Sequence, residues 1–249
     1  MAVAEALGHR ERLGSWLQIS EPAWRAWTDF RLRQVLHASP RIPFDDTRRL
    51  VFFSDCHRGD NSRADHYAVN EDLFIAVLMH YYRFGYTYVE VGDGDDLWKN
   101  PRLQTIYAAH WRTYDVLQRF RQEGRLYMVY GNHDVLDGRR HVIRKGSFEA
   151  HEGLLFEHCR TRRTFLVTHG HQADYKSDRL WPLSQFVVRN VWKRLQMMNL
   201  VKPPRFSDLA ELLRGPANVM EIGRVNKSCI EARLRWWAER SAQAIVCGH

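Results

Sequence analysis

Two hydrophobic rhythms run along this chain, and the switches between them mark its elements. Residues 1–46 read as a helical N-terminal extension, with Trp16, Trp24 and Trp27 set among charged residues and Pro40 and Pro43 closing it. Around Arg49 the pattern changes. RRLVFFSD is a short apolar run rich in β-branched and aromatic residues, which predicts a buried strand. From Asn70 to Phe84 the apolar positions Leu73, Val77, Leu78, Tyr81 and Tyr82 recur at helical spacing, with Asn70 as the cap. YTYVEVGD predicts a second strand. Pro101 to Glu123 predicts a second helix, begun by proline and stopped by Gly124, and RLYMVYGN a third strand. LLFEHC and TFLVTHG follow as two further strands, expected to be antiparallel neighbours, and AIVCGH as a last strand running into a loop.

Strands alternating with helices predict an α/β fold with βαβ units, in which ligands bind beyond the carboxyl ends of the strands. The stretch between His171 and Gln243 breaks the alternation. It carries Trp, Leu, Arg and Lys in long helical patterns interrupted by Pro203, Pro204 and Pro216. The domain reading is therefore an extension over 1–46, a core over 47–170 and 243–249, and a helical cap inserted over 171–242.

Composition narrows the class. With 249 residues, 45% hydrophobic and 27% charged, the chain is long enough for one large core and is not of disordered composition. A net charge of +8 favours anionic partners without choosing among phosphorylated metabolites, lipid head groups and nucleic acid. Cys56, Cys159, Cys229 and Cys247 form no CxxC pair, which suits a reducing compartment. There is no apolar signal core and no run of roughly 18 apolar residues, so the expectation is a cytoplasmic protein.

Five segments carry the candidate chemistry, each at the end of an expected strand. They are Ser54-Asp55-Cys56-His57, Gly92-Asp93-Gly94-Asp95-Asp96, Gly131-Asn132-His133-Asp134, Thr168-His169-Gly170-His171 and Gly248-His249. Singly, each is ordinary for a loop, where Asp and Asn bond nearby backbone. Together they place carboxylate, amide and imidazole ligands along one rim, a donor set for Mn, Fe or Zn. Cys56, between two of these positions on extended backbone, reads as a packing residue facing the other way.

The order D-x-H, G-D-x-x-D, G-N-H-D, H-G-H and G-H resembles the calcineurin-like metallophosphoesterase superfamily over about residues 49–249. The resemblance implies a four-layer αββα sandwich with a helical cap. It implies two divalent ions, Mn foremost, with Fe, Zn or Ni as alternatives. Asp55 and His57 would bind the first ion, Asp93 would bridge both, and Asn132, His169 and His249 would bind the second. His133 would protonate the leaving oxygen and Asp96 would orient it. A bridging hydroxide would attack a phosphodiester or pyrophosphate. The superfamily's last motif runs G-H-x-H, so either the natural chain continues beyond His249 and supplies one more ligand for the first ion, which is the favoured expectation, or that ion has one fewer protein ligand.

Within the superfamily the layout is similar to the UDP-diacylglucosamine hydrolase group. The similarity rests on Gly92-Asp93 with Asp96-Leu97-Trp98, on the cap's position between the fourth and fifth motifs, and on the segment Trp181 to Arg189. Asn226 and Lys227 fall near that group's substrate-touching polar residues. His133 and His171 depart from it, standing where that group has Arg and Asp. A lipid-linked pyrophosphatase is thus one alternative, and a non-catalytic interaction scaffold another. Nucleic acid is disfavoured as a partner, since no binding module supports it.

Two features remain two-sided. In the cap, Leu183, Val187, Val191 and Leu195 with Phe186 and Trp192 form a stripe beside Arg189, Lys193 and Arg194. Such a helix packs on its own domain or rests peripherally on an anionic membrane. The run Arg139, Arg140, Arg144 and Lys145 either binds a second phosphate or head group, or is a solvated loop.

Overall fold

The structure is a computed structural model and describes residues 20–136, 140–174, 185–186, 188–198 and 230–248. The chain is mixed α/β, with two sheets and flanking helices. Helix α1 covers Glu21–Ala38 and strand β1 Arg41–Phe44; β2 follows at Leu50–Phe53, α2 at Glu71–Arg83 and β3 at Thr87–Val91. Helices α3 (Leu103–Ala109) and α4 (Trp111–Gln122) precede β4 (Leu126–Val129), β5 (Val142–Lys145) and β6 (Phe148–His151). Strands β7 (Gly153–His158) and β8 (Thr164–Thr168) come next, then the short helix α5 (Lys193–Met197), a helix α6 over residues 230–241, and β9 (Ala244–Cys247).

The first sheet has the order β2-β3-β4-β6-β5 and is parallel except for the β5–β6 hairpin. The second has the order β1-β7-β8-β9, with β7 and β8 antiparallel as the sequence predicts and β9 parallel to β8. Strand alternation assigns the faces. On β3, Val89 and Val91 join Val129, Leu154, Phe156 and Val167 in a cluster between the two sheets. The opposite positions, Tyr88 on β3 and Met128 on β4, meet Leu78, Ile106, Leu117 and Phe120 of α2, α3 and α4. On the outer side of the second sheet, Leu155 and Leu166 pack against Leu32 and Val35 of α1 and Leu234 and Trp237 of α6.

Three expectations need correction. Residues 41–44 are not part of a helical extension: they form β1, which pairs in parallel with β7 because Ile42 buries its side chain against the inter-sheet cluster. Pro101–Glu123 is two helices, divided at His110, whose imidazole is buried between Asp65 (2.7 Å) and Glu71 (3.2 Å). Lys145 is not in a solvated run: it ends β5, which turns at Gly146 (φ +63°) into β6, and its ammonium is buried. Among the described residues, no helix is long and apolar enough to cross a membrane.

Phe156 has no exposed surface and stacks on Phe165 at 5.1 Å between the sheets. Phe156→Ala is expected to lower stability by about 3–5 kcal/mol in urea denaturation with an unchanged slope. A loss under about 1 kcal/mol would show that the inter-sheet core can collapse around the missing ring.

Candidate metal centre

Strands β2, β3 and β4 run parallel, so their carboxyl ends lie on one rim of the first sheet. β8 ends beside that rim, because His169 Nδ1 lies 2.8 Å from the carbonyl of Val91 at the end of β3. The loops after these strands extend the pairing. Asp55 N–H donates to the Gly92 carbonyl (3.1 Å) and His57 N–H to the Asp93 carbonyl (2.8 Å).

Backbone shape then aims the side chains. Asp55 (φ +54°), His57 (φ +49°) and Asp93 (φ +50°) all adopt left-handed conformations. For residues with a Cβ this costs on the order of 1–3 kcal/mol each and persists where surrounding structure imposes it. Two glycines make the approach possible. A Cβ on Gly92 would collide with the His169 ring, and one on Gly131 with the Asp93 carboxylate.

The result is a compact ligand cluster centred on Asp93. Asp93 Oδ2 lies 3.3 Å from His169 Nε2 and 3.8 Å from His57 Nε2, and Asp55 Oδ1 lies 3.8 Å from the same His57 nitrogen. Two sets, Asp55 with Asp93 and His169, and His57 with Asp93 and His133, each present one ligand atom per residue within 4.8 Å. Asp93 belongs to both. Its Oδ1 accepts the backbone N–H of His133 (2.8 Å), which fixes the carboxylate's orientation. Asn132 follows β4 on the same rim; its Oδ1 is buried without a hydrogen-bond partner among the described residues. A buried amide oxygen left so in a cluster of carboxylates and imidazoles fits a cation ligand.

The outer contacts orient the imidazoles. With Nδ1–H of His169 donated to Val91, Nε2 faces Asp93 and can offer its lone pair. His133 Nδ1 lies 3.1 Å from Asp96 Oδ1, and its ring stacks on Trp98 at 4.1 Å. Burial opposes ionisation of Asp93, yet His169, His133 and His57 hold it well below the usual carboxylate range. For His169, burial opposes protonation, but Asp93 raises its pKa to about 9. His133 is also raised: burial works against it, and Asp93 with the Asp96 hydrogen bond outweighs that. Burial alone dominates at Cys56, pushing its thiol up to about 12, in keeping with a packing role.

Alternate residues of the same loops turn the other way, into a buried charge network that sequence patterns do not reveal. Arg58 donates through Nε to Asp95 (2.7 Å) and through both terminal nitrogens to Glu90 (2.7 and 2.9 Å). Lys145 pairs with Asp95 and Asp134, both at 2.7 Å. Asp134 in turn accepts the backbone N–H groups of Gly131 (2.8 Å) and Asp95 (2.9 Å). The one legible signal was that Asp95 and Asp134 sit inside otherwise ligand-bearing motifs.

A cavity of about 550 Å³ opens beside the cluster, walled by Asp55, His57, Asp96 and His133, by Lys99 and His66, and by Phe53, Phe74, Val188 and Trp192. Residues 188–197 reach it with two cations turned inward. Arg189 donates to the Trp98 carbonyl (3.0 Å), and Lys193 to Asp60 (2.8 Å) and Asn100 (2.6 Å). Two of the three charges beside the apolar stripe are therefore spent on the core loops, in line with a helix that packs on its own domain. Leu183 and the side chains of Val187 and Val191 lie outside the described residues.

Of the site residues expected from sequence, Asp55, His57, Asp93, His133 and His169 come together, with Asp96 behind His133 and Asn132 on the same rim. Arg140 is exposed and is not among the residues walling the cavity. Arg139, Asn226, Lys227 and His249 lie outside the described residues. Gly248, just before His249, donates its N–H to the His169 carbonyl (3.1 Å). Compared with family models, curated proteins and solved structures, the chain has no match.

Two outcomes follow. Lys145→Met strips the network of one of its two cations and should cost about 3–5 kcal/mol by chemical denaturation, since it strands buried carboxylates; an unaffected variant would show that water reaches them. A cation bound at His169 Nε2 must displace the proton held there below about pH 9. Mn affinity should therefore rise with pH toward 9, with proton release at pH 7 seen by calorimetry in buffers of different ionisation enthalpy. Binding without proton release would exclude His169 as a ligand.

Proposed function

We propose that this chain is a two-metal phosphoesterase of the calcineurin-like type, a four-layer αββα sandwich with a helical cap. The observation that supports the reading is Asp93, a buried carboxylate held well below the usual range, whose Oδ2 lies 3.3 Å from His169 Nε2 and 3.8 Å from His57 Nε2, so that it could serve both ions. Asp55 and His57 would hold one ion, and Asn132 and His169 the other, with Mn as the foremost choice. Two such cations neutralise phosphoryl oxygens and bring the pKa of a bound water toward neutral.

The chain's own residues do the rest. His133 stands on the cavity wall, steered by Asp96 and braced by Trp98. Its raised pKa favours the protonated imidazole, the form that would give a proton to the leaving oxygen. Such a donor contributes about 10²–10⁴-fold. The apolar wall of Phe53, Phe74, Val188 and Trp192 suits the organic part of a phosphorylated small molecule. A lipid-linked pyrophosphate is the second reading; exposed Phe186 and Met198 on the cap, beside cavity-lining Trp192, favour it. The presence of His57, His133, His169 and His249 in the sequence speaks against a non-catalytic scaffold.

The test is hydrolysis of bis-p-nitrophenyl phosphate with added Mn. Activity should vanish with chelator and in Asp93→Asn. His133→Ala should keep its Mn, read by electron paramagnetic resonance, while turnover drops about 10²–10⁴-fold. Undiminished turnover in His133→Ala would remove it as the proton donor. A wild-type protein that neither binds divalent metal nor hydrolyses the ester sinks the reading.

A further inference from the structure

Lys99 lines the same cavity as His57, Asp96 and His133, yet none of the roles above uses it. Its ammonium lies 3.0 Å from Asp96 Oδ2, while Asp96 Oδ1 is the oxygen that meets His133. One carboxylate thus separates Lys99 from the proposed proton donor, so both sit on the wall where a leaving group would depart. Lys99 is the one lysine or arginine among the described residues lining this cavity, and it shares the Asp96 carboxylate with His133. An ammonium has three donors. Among the described residues Lys99 spends two of them, on Asp96 and on the Ala64 carbonyl (3.4 Å), and one remains for a ligand.

The position is also built rather than incidental. The Lys99 side chain is only 12% exposed. Its N–H donates to Asp96 Oδ1 (3.2 Å), and its carbonyl accepts from Lys193 of the cap (3.2 Å). Arg189 grips the preceding carbonyls of Trp98 (3.0 Å) and Leu97 (3.5 Å). Two cap cations therefore clamp the backbone from which Lys99 projects. Pre-setting a charged side chain in this way reduces the ordering cost of ligand binding.

We propose that Lys99 receives an anionic group on the leaving side of the substrate, so that the site prefers leaving groups that are themselves phosphorylated. The assignment of the leaving side rests on the phosphoesterase reading. The physical logic is that an alkoxide leaving group needs chiefly a proton, whereas a phosphate leaving group carries charge throughout departure and needs a fixed cation. Lys99 supplies that cation and His133 the proton.

The test uses the Mn-loaded protein and two non-hydrolysable or product-like anions, methylenediphosphonate and inorganic phosphate, with binding read by calorimetry. Lys99→Met should weaken methylenediphosphonate at least tenfold and leave phosphate within about threefold, and Lys99→Arg should retain most of the diphosphonate affinity. Equal weakening of both anions would mean that Lys99 acts only by positioning Asp96 and His133. No change in either, or no binding of either to the wild type, would also overturn the proposal. Because the readout is binding, a wild type that hydrolyses nothing but shows the selective pattern would sink the hydrolase reading and keep the anion site; active enzyme without the pattern does the reverse.

Discussion

Arg58 spreads its guanidinium across Glu90 and Asp95 with no exposed surface on any of the three, and Lys145 closes the group by reaching Asp95 and Asp134. These side chains come from the loop after β2, from β3 and the loop after it, from the loop after β4, and from the end of β5. Three carboxylates against two cations is an unfavourable balance in a dry interior unless every oxygen finds a donor. Here backbone N–H groups of Gly131 and Asp95, and the hydroxyls of Tyr114 and Tyr88, supply the remainder. Satisfying those charges fixes the three loops relative to one another.

That fixation explains why strained backbone survives at the rim above. Asp55, His57 and Asp93 stay left-handed because the residues beside them are tied into the network or into cross-loop backbone bonds, such as Arg58 N–H to the Gly94 carbonyl. The candidate ligands and the network share the same short segments, with Arg58 next to His57, Asp95 two residues after Asp93 and Asp134 two after Asn132. A rigid lower layer thereby pre-arranges an upper layer of like-charged and polar groups that would otherwise separate.

The cap follows the same logic of charge satisfied by geometry. Arg189 and Lys193 leave the solvent side to bond carbonyls and the Asp60 carboxylate in the loops that frame the cavity. Its exposed face keeps Phe186 and Met198. These basic residues are thus part of the wall's construction, a distinction that their periodicity, which fits a packed helix and a membrane-facing one alike, does not make.

By itself the sequence determined the strand–helix alternation, the antiparallel pairing of β7 with β8, and the placement of Asp55, His57, Asp93, Asn132 and His169 at strand ends. Those features are local: a run of apolar residues and the turn that follows it carry their own signal. It did not determine β1, where four residues become a strand only because β7 offers an edge to them. Nor did it reveal that Lys145 is an interior cation, because burial depends on partners far away in sequence, Glu90, Asp95 and Asp134. The convergence of the candidate ligands on Asp93 was likewise decided in three dimensions, by parallel strands ending on one rim and by glycines at 92 and 131 that let the side chains close in.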